Sequence, residues 1–423
     1  MRIAMVSEHA SPLAVLGGDD AGGQNVHVAA LSDALVRRGH EVTVLTRWDD
    51  PAQQQRQRLP GGVEVVHVPA GPRQPVSKDD LLPHMPELAD GLVREWAQRP
   101  PDVVHAHFWM SGLATLLARR GLADLGVALP ATAVTFHALG RVKRRHLGDL
   151  DPSPPERLAV ERRVAREMDA VVATCRDEVA ELLDDGADAE RLHVVPCGVE
   201  LERFGTVRAP SPPGTGPWRP GAVRLLSVGR LVERKGIDTV IEALALLPDA
   251  ELVVAGGPPS HLLAGDPHAT RLRAAAAAAG VLPRVHVVGR VPHDQAADLM
   301  RAADLVVTVP WYEPFGIVPL EAMACGTPVV ASAVGGMLDT VADGVTGVLV
   351  PPRDPAAVAA AVRGLVDDPG GLGRLGRAGA QAVAARYSWE RVAEATESVY
   401  RDVVAPVALP EALAHARTGR KDR

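Results

Sequence analysis

The chain has 423 residues, 47% hydrophobic and 23% charged, with a formal net charge of −7. That length suffices for two domains with separate cores, and the acidic balance speaks against nonspecific nucleic-acid binding, which needs clustered positive charge. Three cysteines, Cys175, Cys197 and Cys325, make neither a zinc-ligand spacing nor a disulfide framework. They read as small core residues in a reducing compartment.

The first residues, Met1-Arg-Ile-Ala-Met-Val-Ser7, open directly as a strand, without the basic and apolar regions of an export signal. No apolar run reaches the roughly 18 residues needed to span a bilayer. A cytoplasmic protein with at most peripheral membrane contact is expected. Arg141, Lys143, Arg144, Arg145 and His146 form a basic cluster, read as a solvated or phosphate-facing loop rather than a lipid contact.

In chain order, short β-rich runs at 2–6, 41–45, 63–68, 102–107, 133–137, 170–174 and 192–196 alternate with amphipathic stretches. This pattern predicts α/β architecture, with parallel strands covered by helices on both faces. Val26, Ala29, Ala30, Leu31, Ala34 and Leu35 form the apolar stripe of the first helix, which Gly39 ends. Gly22 and Gly23 then lie where that helix begins, a turn that lets backbone approach a phosphate or sugar closely. It is not the Gly-x-Gly-x-x-Gly fingerprint of a dinucleotide site.

Residues 208–220, rich in Pro and Gly, read as a linker between a first domain over 1–207 and a second over 221–388. The second strand series is expected at 223–228, 251–255, 285–288, 305–309, 328–331 and 347–350, with helices over about 356–365, 371–385 and 389–404. The tail, 405–423, is expected to fray.

The chemistry concentrates in the second half. Glu313 and Glu321 flank Pro-Phe-Gly-Ile-Val-Pro-Leu, after the strand Leu305–Val309. A helix starting near Gly316 puts Glu321 on its second turn and Glu313 in the loop before it. The free N–H groups of Phe315, Gly316, Ile317 and Val318 then face an anion between two carboxylates. That arrangement suits a nucleotide sugar, with hydroxyls at both ends and a diphosphate between. Arg230 and Lys235 follow a strand and the turn at Gly229, beside the start of another helix. There a guanidinium and an ammonium can neutralise a diphosphate without a metal ion.

These residues, with Gly17–Asn25, Val104–Gly112 and Thr135–Lys143, resemble the retaining glycosyltransferases of family 4, from Met1 to about Val404. The similarity is greatest to the inositol-phosphate N-acetylglucosaminyltransferases of mycothiol synthesis and to the sucrose-phosphate synthases. The resemblance implies a GT-B fold, with two Rossmann-like domains facing each other across a cleft and the last helix crossing back at Tyr387-Ser388-Trp389 to complete the first domain. It implies hexosyl transfer from a nucleotide diphosphate sugar, UDP in both branches, to a small hydroxylated acceptor with or without a phosphate, with retention and without a required metal or cofactor.

By the same resemblance His137, Arg230, Lys235 and Glu313 carry catalysis. The donor is held by Gly22, Gly23, Gly229, Arg230, Lys235, the backbone at Arg290 and Val291, residues Phe315, Gly316, Ile317 and Val318, and Glu321. The acceptor side comprises Asp20, Asn25, Lys78, His107 and Arg157. Phe108 and Ala138 stand where the inositol-phosphate enzymes supply hydroxyls, and neither can donate a side-chain hydrogen bond. Other readings are a GT-B-type nucleotide-sugar epimerase, a non-catalytic nucleotide-sugar-binding protein, and a metal-dependent transferase using Asp149 and Asp151.

Overall fold

The computed structural model describes residues 1–13, 23–206 and 217–405. Most of the expected linker, the tail beyond residue 405, and the calls on Asp20 and Gly22 lie outside them. The first half supplies β1 (Arg2–Val6), β2 (Glu41–Arg47), β3 (Arg56–Arg58), β4 (Glu64–Val68), β5 (Val103–His107), β6 (Ala131–Thr135), β7 (Ala170–Ala173) and β8 (Leu192–Val194). They form one sheet in the order β3-β4-β2-β1-β5-β6-β7-β8. Every pairing is parallel except that of β3 with β4. The second half supplies β9 (Val223–Val228), β10 (Ala250–Ala255), β11 (Val285–Gly289), β12 (Leu305–Thr308), β13 (Val329–Ser332) and β14 (Val348–Val350). These are ordered β11-β10-β9-β12-β13-β14, all parallel.

Strand composition explains the layering. β5 (Val-Val-His-Ala-His), β7 (Ala-Val-Val-Ala) and β10 are buried along their whole length, as a parallel sheet covered on both faces requires. In each sheet the direction of strand addition reverses once, between β1 and β5 and between β9 and β12. Such reversals leave a crevice beyond the carboxyl ends of the strands. The residues following β1, β5, β9 and β12 are therefore the ones offered to a ligand.

Three details differ from expectation. β6 lies two residues earlier than predicted, because the chain leaves the sheet at Phe136 and turns at His137, whose φ is +60°. The strand β3 was not anticipated, since Arg56-Gln-Arg58 is wholly polar and exposed; its Arg56 is held by Glu64 and Glu95. The helix Gly23–Arg37 begins where Gly23 predicted, but its buried face is Asn25, His27, Val28, Leu31, Ser32, Ala34 and Leu35. Val26, Ala29 and Ala30 are only half buried. Polar residues can take that face because they are satisfied there: the Asn25 amide donates to Ser11 O at 3.0 Å, and His27 Nδ1 lies 3.2 Å from Cys197 Sγ.

The last helix, Trp389–Val404, crosses to the first sheet and joins a core containing Ile3, Met5, Leu31 and Leu35. Ser388 caps its start by accepting from the N–H of Arg391 at 3.3 Å. Trp389 packs against Gly198 and sits edge-on to His27, and the buried Tyr400 hydroxyl meets His105 Nδ1 at 2.7 Å. Emptying so large a site leaves a cavity the sheet cannot close. Trp389→Ala should therefore cost about 3–5 kcal/mol, read as a lowered urea midpoint. A midpoint unchanged from wild type would mean that the crossing helix does not stabilise the first sheet.

Candidate active site

Gly229, with φ of +149°, ends β9 and leads into Arg230 and the short 3-10 turn Glu233–Lys235. Across the switch point, β12 runs out through Pro310 and Trp311 to Glu313 and the helix Ile317–Ala324. The two loops are tied together, because Trp311 N–H donates to Arg234 O at 2.8 Å. Lys235 Nζ donates to Glu313 Oε2, so the two residues are in direct contact. Burial alone would push the Glu313 carboxyl up. The nearby Lys235, Arg234 and Arg230 outweigh burial and hold it below the usual carboxylate range. Lys235 is lowered, chiefly by burial and also by the two neighbouring guanidinium groups, against the pull of Glu313. Arg234, which sequence reading passed over, is thus part of this cationic group. Its adjacency to Lys235 was the available signal.

Gly316 has φ of +91°, and a Cβ there would meet Met337 Cγ at 3.2 Å. This left-handed turn lets the helix begin at Ile317, as predicted, with first-turn N–H groups that have no intrahelical carbonyl. Glu321 lies on the second turn. Burial raises its carboxyl to about 8, opposed by Arg203 and assisted by Glu200. Arg290 and Val291 follow β11, with Arg290 N–H donating to Pro258 O at 2.9 Å.

The first domain meets this group closely. A Cβ built on Gly23 would lie 3.1 Å from Ile317 Cδ1, so the N-terminus of its helix faces that of Ile317–Ala324. His146 stacks on Tyr312 at 5.1 Å with a 12° interplanar angle, Cys175 Sγ donates to Pro314 O at 3.2 Å, and Arg176 N–H donates to Asp339 at 2.6 Å. At the carboxyl ends of β5 and β6, Phe108 (φ +85°) and His137 (φ +60°) hold backbone conformations that non-glycine residues rarely adopt. Such strain persists where surrounding structure enforces it, and it gathers at functional sites.

The sequence matches the models Glycosyltransferase Family 4 over residues 21–203 and Glycosyl transferases group 1 over residues 216–382. It is 41% identical over 417 residues to a D-inositol 3-phosphate glycosyltransferase of Xylanimonas cellulosilytica, covering 94% of this chain and 96% of the relative. The chain belongs to glycosyltransferase family 4. The Mycobacterium bovis protein of the same name is 38% identical over 411 residues, covering 95% of this chain and 83% of its own length. Among solved structures, sucrose-phosphate synthase from Thermosynechococcus elongatus superposes with a TM-score of 0.82 at 30% identity, over 96% of this chain and 99% of that one. HepE of Anabaena shares the GT-B fold at a TM-score of 0.70 and 20% identity, over 94% of this chain and 98% of that one. This glycosyltransferase therefore has the two Rossmann-like domains that its motifs implied.

The acceptor side differs from the reading of the sequence. His107 is fully buried, with Nδ1 3.0 Å from His137 Nε2 and Nε2 3.3 Å from Met5 Sδ. Its expected place as an acceptor ligand is corrected: the buried ring lies against His137, which is itself only partly buried. Arg157 is likewise buried, its guanidinium donating to Glu161, Ser153 and Ala138 O, with Phe108 packed over it at 5.1 Å. It braces the turn at Gly140, whose N–H donates to Glu161, and three of its five N–H donors are engaged inside the first domain. Arg141 is held by Glu181 and Lys143 by Asp151 and Ser153. The Lys143 bond also occupies Asp151 of the Asp149–Asp151 pair. Among the described residues no group of three or more His, Cys, Asp or Glu side chains is arranged to hold a metal ion, and no helix is long and apolar enough to cross a membrane.

Lys78 is half-buried on a 3-10 turn. The buried Arg47, unremarked in the sequence, fixes the preceding loop by donating to Pro72 O and Gln74 O, both at 2.7 Å.

Two pH effects follow. Burial lowers His27 to about 4 and His105 to about 3, and drives His107 and His137 well below their ordinary value of 6.5. Below pH 6.5 the unfolded chain binds protons that the folded chain refuses, so stability is complete above that value and falls with acidity. The loss should be about 2 kcal/mol at pH 5 for each of His27 and His105; an unchanged melting temperature between pH 7.5 and 5 would contradict it. Glu321 works in the opposite direction. Were Glu321 to hold the ribose of a nucleotide as an ionised carboxylate, binding below pH 8 would release its proton. UDP affinity should rise from pH 6 to 8 with measurable proton release, and Glu321→Gln should abolish both. Calorimetry in buffers of different ionisation enthalpy reads this directly.

Proposed function

We propose that this glycosyltransferase moves a hexosyl group from a UDP-sugar to a hydroxyl of a small polyol, D-inositol 3-phosphate being the first acceptor to test, with retention of configuration and without a metal ion. The observation that carries this reading is the convergence of Lys235, Arg234 and Arg230 on Glu313, beside the free N-terminus of Ile317–Ala324 and opposite Gly23. UDP is the nucleotide of both branches the sequence resembles, and the acceptor follows the name of relatives about 40% identical along nearly the whole chain.

As the bond to the anomeric carbon breaks, negative charge grows on the departing diphosphate. Lys235, Arg234 and Arg230 are fixed charges at that position, and the first-turn N–H groups add a fixed dipole. Both stabilise the transition state more than the bound substrate. When the donor enters, Lys235 turns from Glu313 to the phosphates, and the freed carboxylate accepts hydroxyls of the sugar. With its oxygens engaged by those hydroxyls and Arg234 and Arg230 still near, Glu313 is a poor nucleophile. Retention then follows from attack on the face the diphosphate leaves, where a phosphate oxygen takes the acceptor proton. His137, partly buried just beyond β6, contacts the sugar.

Lys235→Ala should lower turnover about 100- to 1,000-fold, the loss of one preorganised contact worth roughly 3–4 kcal/mol of barrier. Arg234 and Arg230 remain to partner Glu313, so the melting temperature should change little. The transferred sugar should be α-linked by its NMR coupling constant, and excess chelator should leave the rate unchanged. Near-wild-type turnover in Lys235→Ala would refute the donor site. Interconversion of nucleotide sugars without any acceptor would instead indicate an epimerase.

A further inference from the structure

The short helix Met337–Thr340 packs against the loop that carries Glu313. Gly336 N–H donates to Glu313 O at 3.1 Å, and a Cβ on Gly335 would collide with that same carbonyl. Met337 and Thr340 line the turn at Gly316, where a Cβ would stand 3.2 Å from Met337 Cγ and 3.6 Å from Thr340 Oγ1. The donor-side loop rests directly on this segment. A displacement of the helix is therefore passed to the Glu313 backbone.

Asp339 sits on that helix and is held from two sides. Its Oδ2 accepts the Arg176 N–H at 2.6 Å, and its Oδ1 lies 3.0 Å from Arg176 Nε, both from the first domain. Its backbone carbonyl accepts the Tyr387 hydroxyl at 3.2 Å. Tyr387 stands beside the place where the chain crosses between the domains in both directions. There Val199 N–H donates to Tyr387 O at 2.7 Å, and Val199 bridges to Ser388. One residue thus joins the first domain, the double crossing and the support of the Glu313 loop. Cys175, the neighbour of Arg176, holds the next carbonyl of that loop, with Sγ donating to Pro314 O at 3.2 Å. The Arg176 side chain is 83% exposed, so its ion pair with Asp339 contributes little to folding. What the pair fixes is position.

We propose that Asp339 is a positioning residue for Glu313: joined to Arg176 of the first domain and to Tyr387 at the crossing, it fixes the helix Met337–Thr340, and through it the carboxylate that receives the donor sugar. This rests on the glycosyl-transfer reading above. When Arg176 and Asp339 part, the loop relaxes and Glu313 leaves the place from which it accepts hydroxyls. A misplacement of about 1 Å at a reacting centre can cost about 100-fold in rate.

Two variants of the whole chain separate this role from stability. Asp339→Ala removes the carboxylate. Arg176→Pro removes the guanidinium and the N–H together, at the first position of the helix Arg176–Asp184, where proline is well tolerated. Cys175 before it already has the extended backbone, φ −156° and ψ 168°, that a following proline requires. Each variant should lower kcat about 10- to 100-fold and raise the KM of the UDP-sugar, with little change in melting temperature. The inhibition constant of UDP, which lacks the hydroxyls that Glu313 receives, should stay as in wild type. Asp339→Asn still accepts the Arg176 N–H and should recover part of the loss. Arg176→Pro added to Glu313→Ala should cost nothing further. Amide hydrogen exchange in Arg176→Pro should rise at 313–317 and 336–340 and stay unchanged in the strands of both sheets.

Unchanged turnover in Arg176→Pro, or exchange at 313–317 equal to that of wild type, would overturn the proposal. A loss of UDP affinity equal to that for the UDP-sugar would also overturn it, by showing that the second domain is loosened as a whole. So would an additive loss with Glu313→Ala, because Asp339 would then act on something other than Glu313. If the wild-type protein transferred no sugar to any acceptor, the reading of the preceding subsection would fall, while hydrogen exchange would still judge the coupling of Arg176 to the Glu313 loop.

Discussion

One electrostatic constraint organises the second domain: a carboxylate and an ammonium, both largely shielded from water, held in contact where the strand order reverses. Neither Glu313 nor Lys235 would be tolerated there without some counter-charge, since an unpaired buried charge costs several kcal/mol. Their pairing requires the loop after β9 and the loop after β12 to lie side by side. The backbone bond from Trp311 to Arg234 and the left-handed turn at Gly316 make that possible. Arg353 packs over Trp311 at 3.8 Å on the outer side of the same loop. The ion pair is thus a stored arrangement whose two halves match the two kinds of group that a nucleotide sugar offers in turn.

The first domain answers with a different material. Where the second domain uses full charges, the floor of the first is four imidazoles that burial keeps uncharged: His27, His105, His107 and His137. His105 and His107 lie 4.2 Å apart between ring centroids, and His107 hydrogen-bonds His137. Neutral rings present a polar yet uncharged surface beneath the cleft. The cations of the second domain therefore have no positive group opposing them from this floor.

Much of this could be read from the sequence, and the remainder could not for identifiable reasons. β9, β10 and β12 were visible because apolar β-rich runs fall between Gly and Pro, and the start at Ile317 because Gly316 stands between two carboxylates. β3 was hidden, being polar throughout and stabilised by ion pairs to residues elsewhere in sequence. His107 was misplaced because strand alternation tells which residues share a face but not which face meets solvent. Arg157 is a different case. A motif position carries the residue type forward, whereas its availability depends on Glu161 and Ser153, whose contacts sequence alone does not reveal. Arg47 was overlooked because an isolated arginine resembles any surface charge until its partners are seen.

The crossing of Trp389–Val404 onto the first sheet has a consequence for synthesis. The core that includes Ile3, Met5 and Leu35 also contains Trp389, Val392, Val399 and Tyr400. During translation, β1 to β8 emerge long before the segment that covers them. The nascent first domain must keep an apolar face uncovered while the entire second domain is made. Its folding can be completed only once Trp389–Val404 has been made.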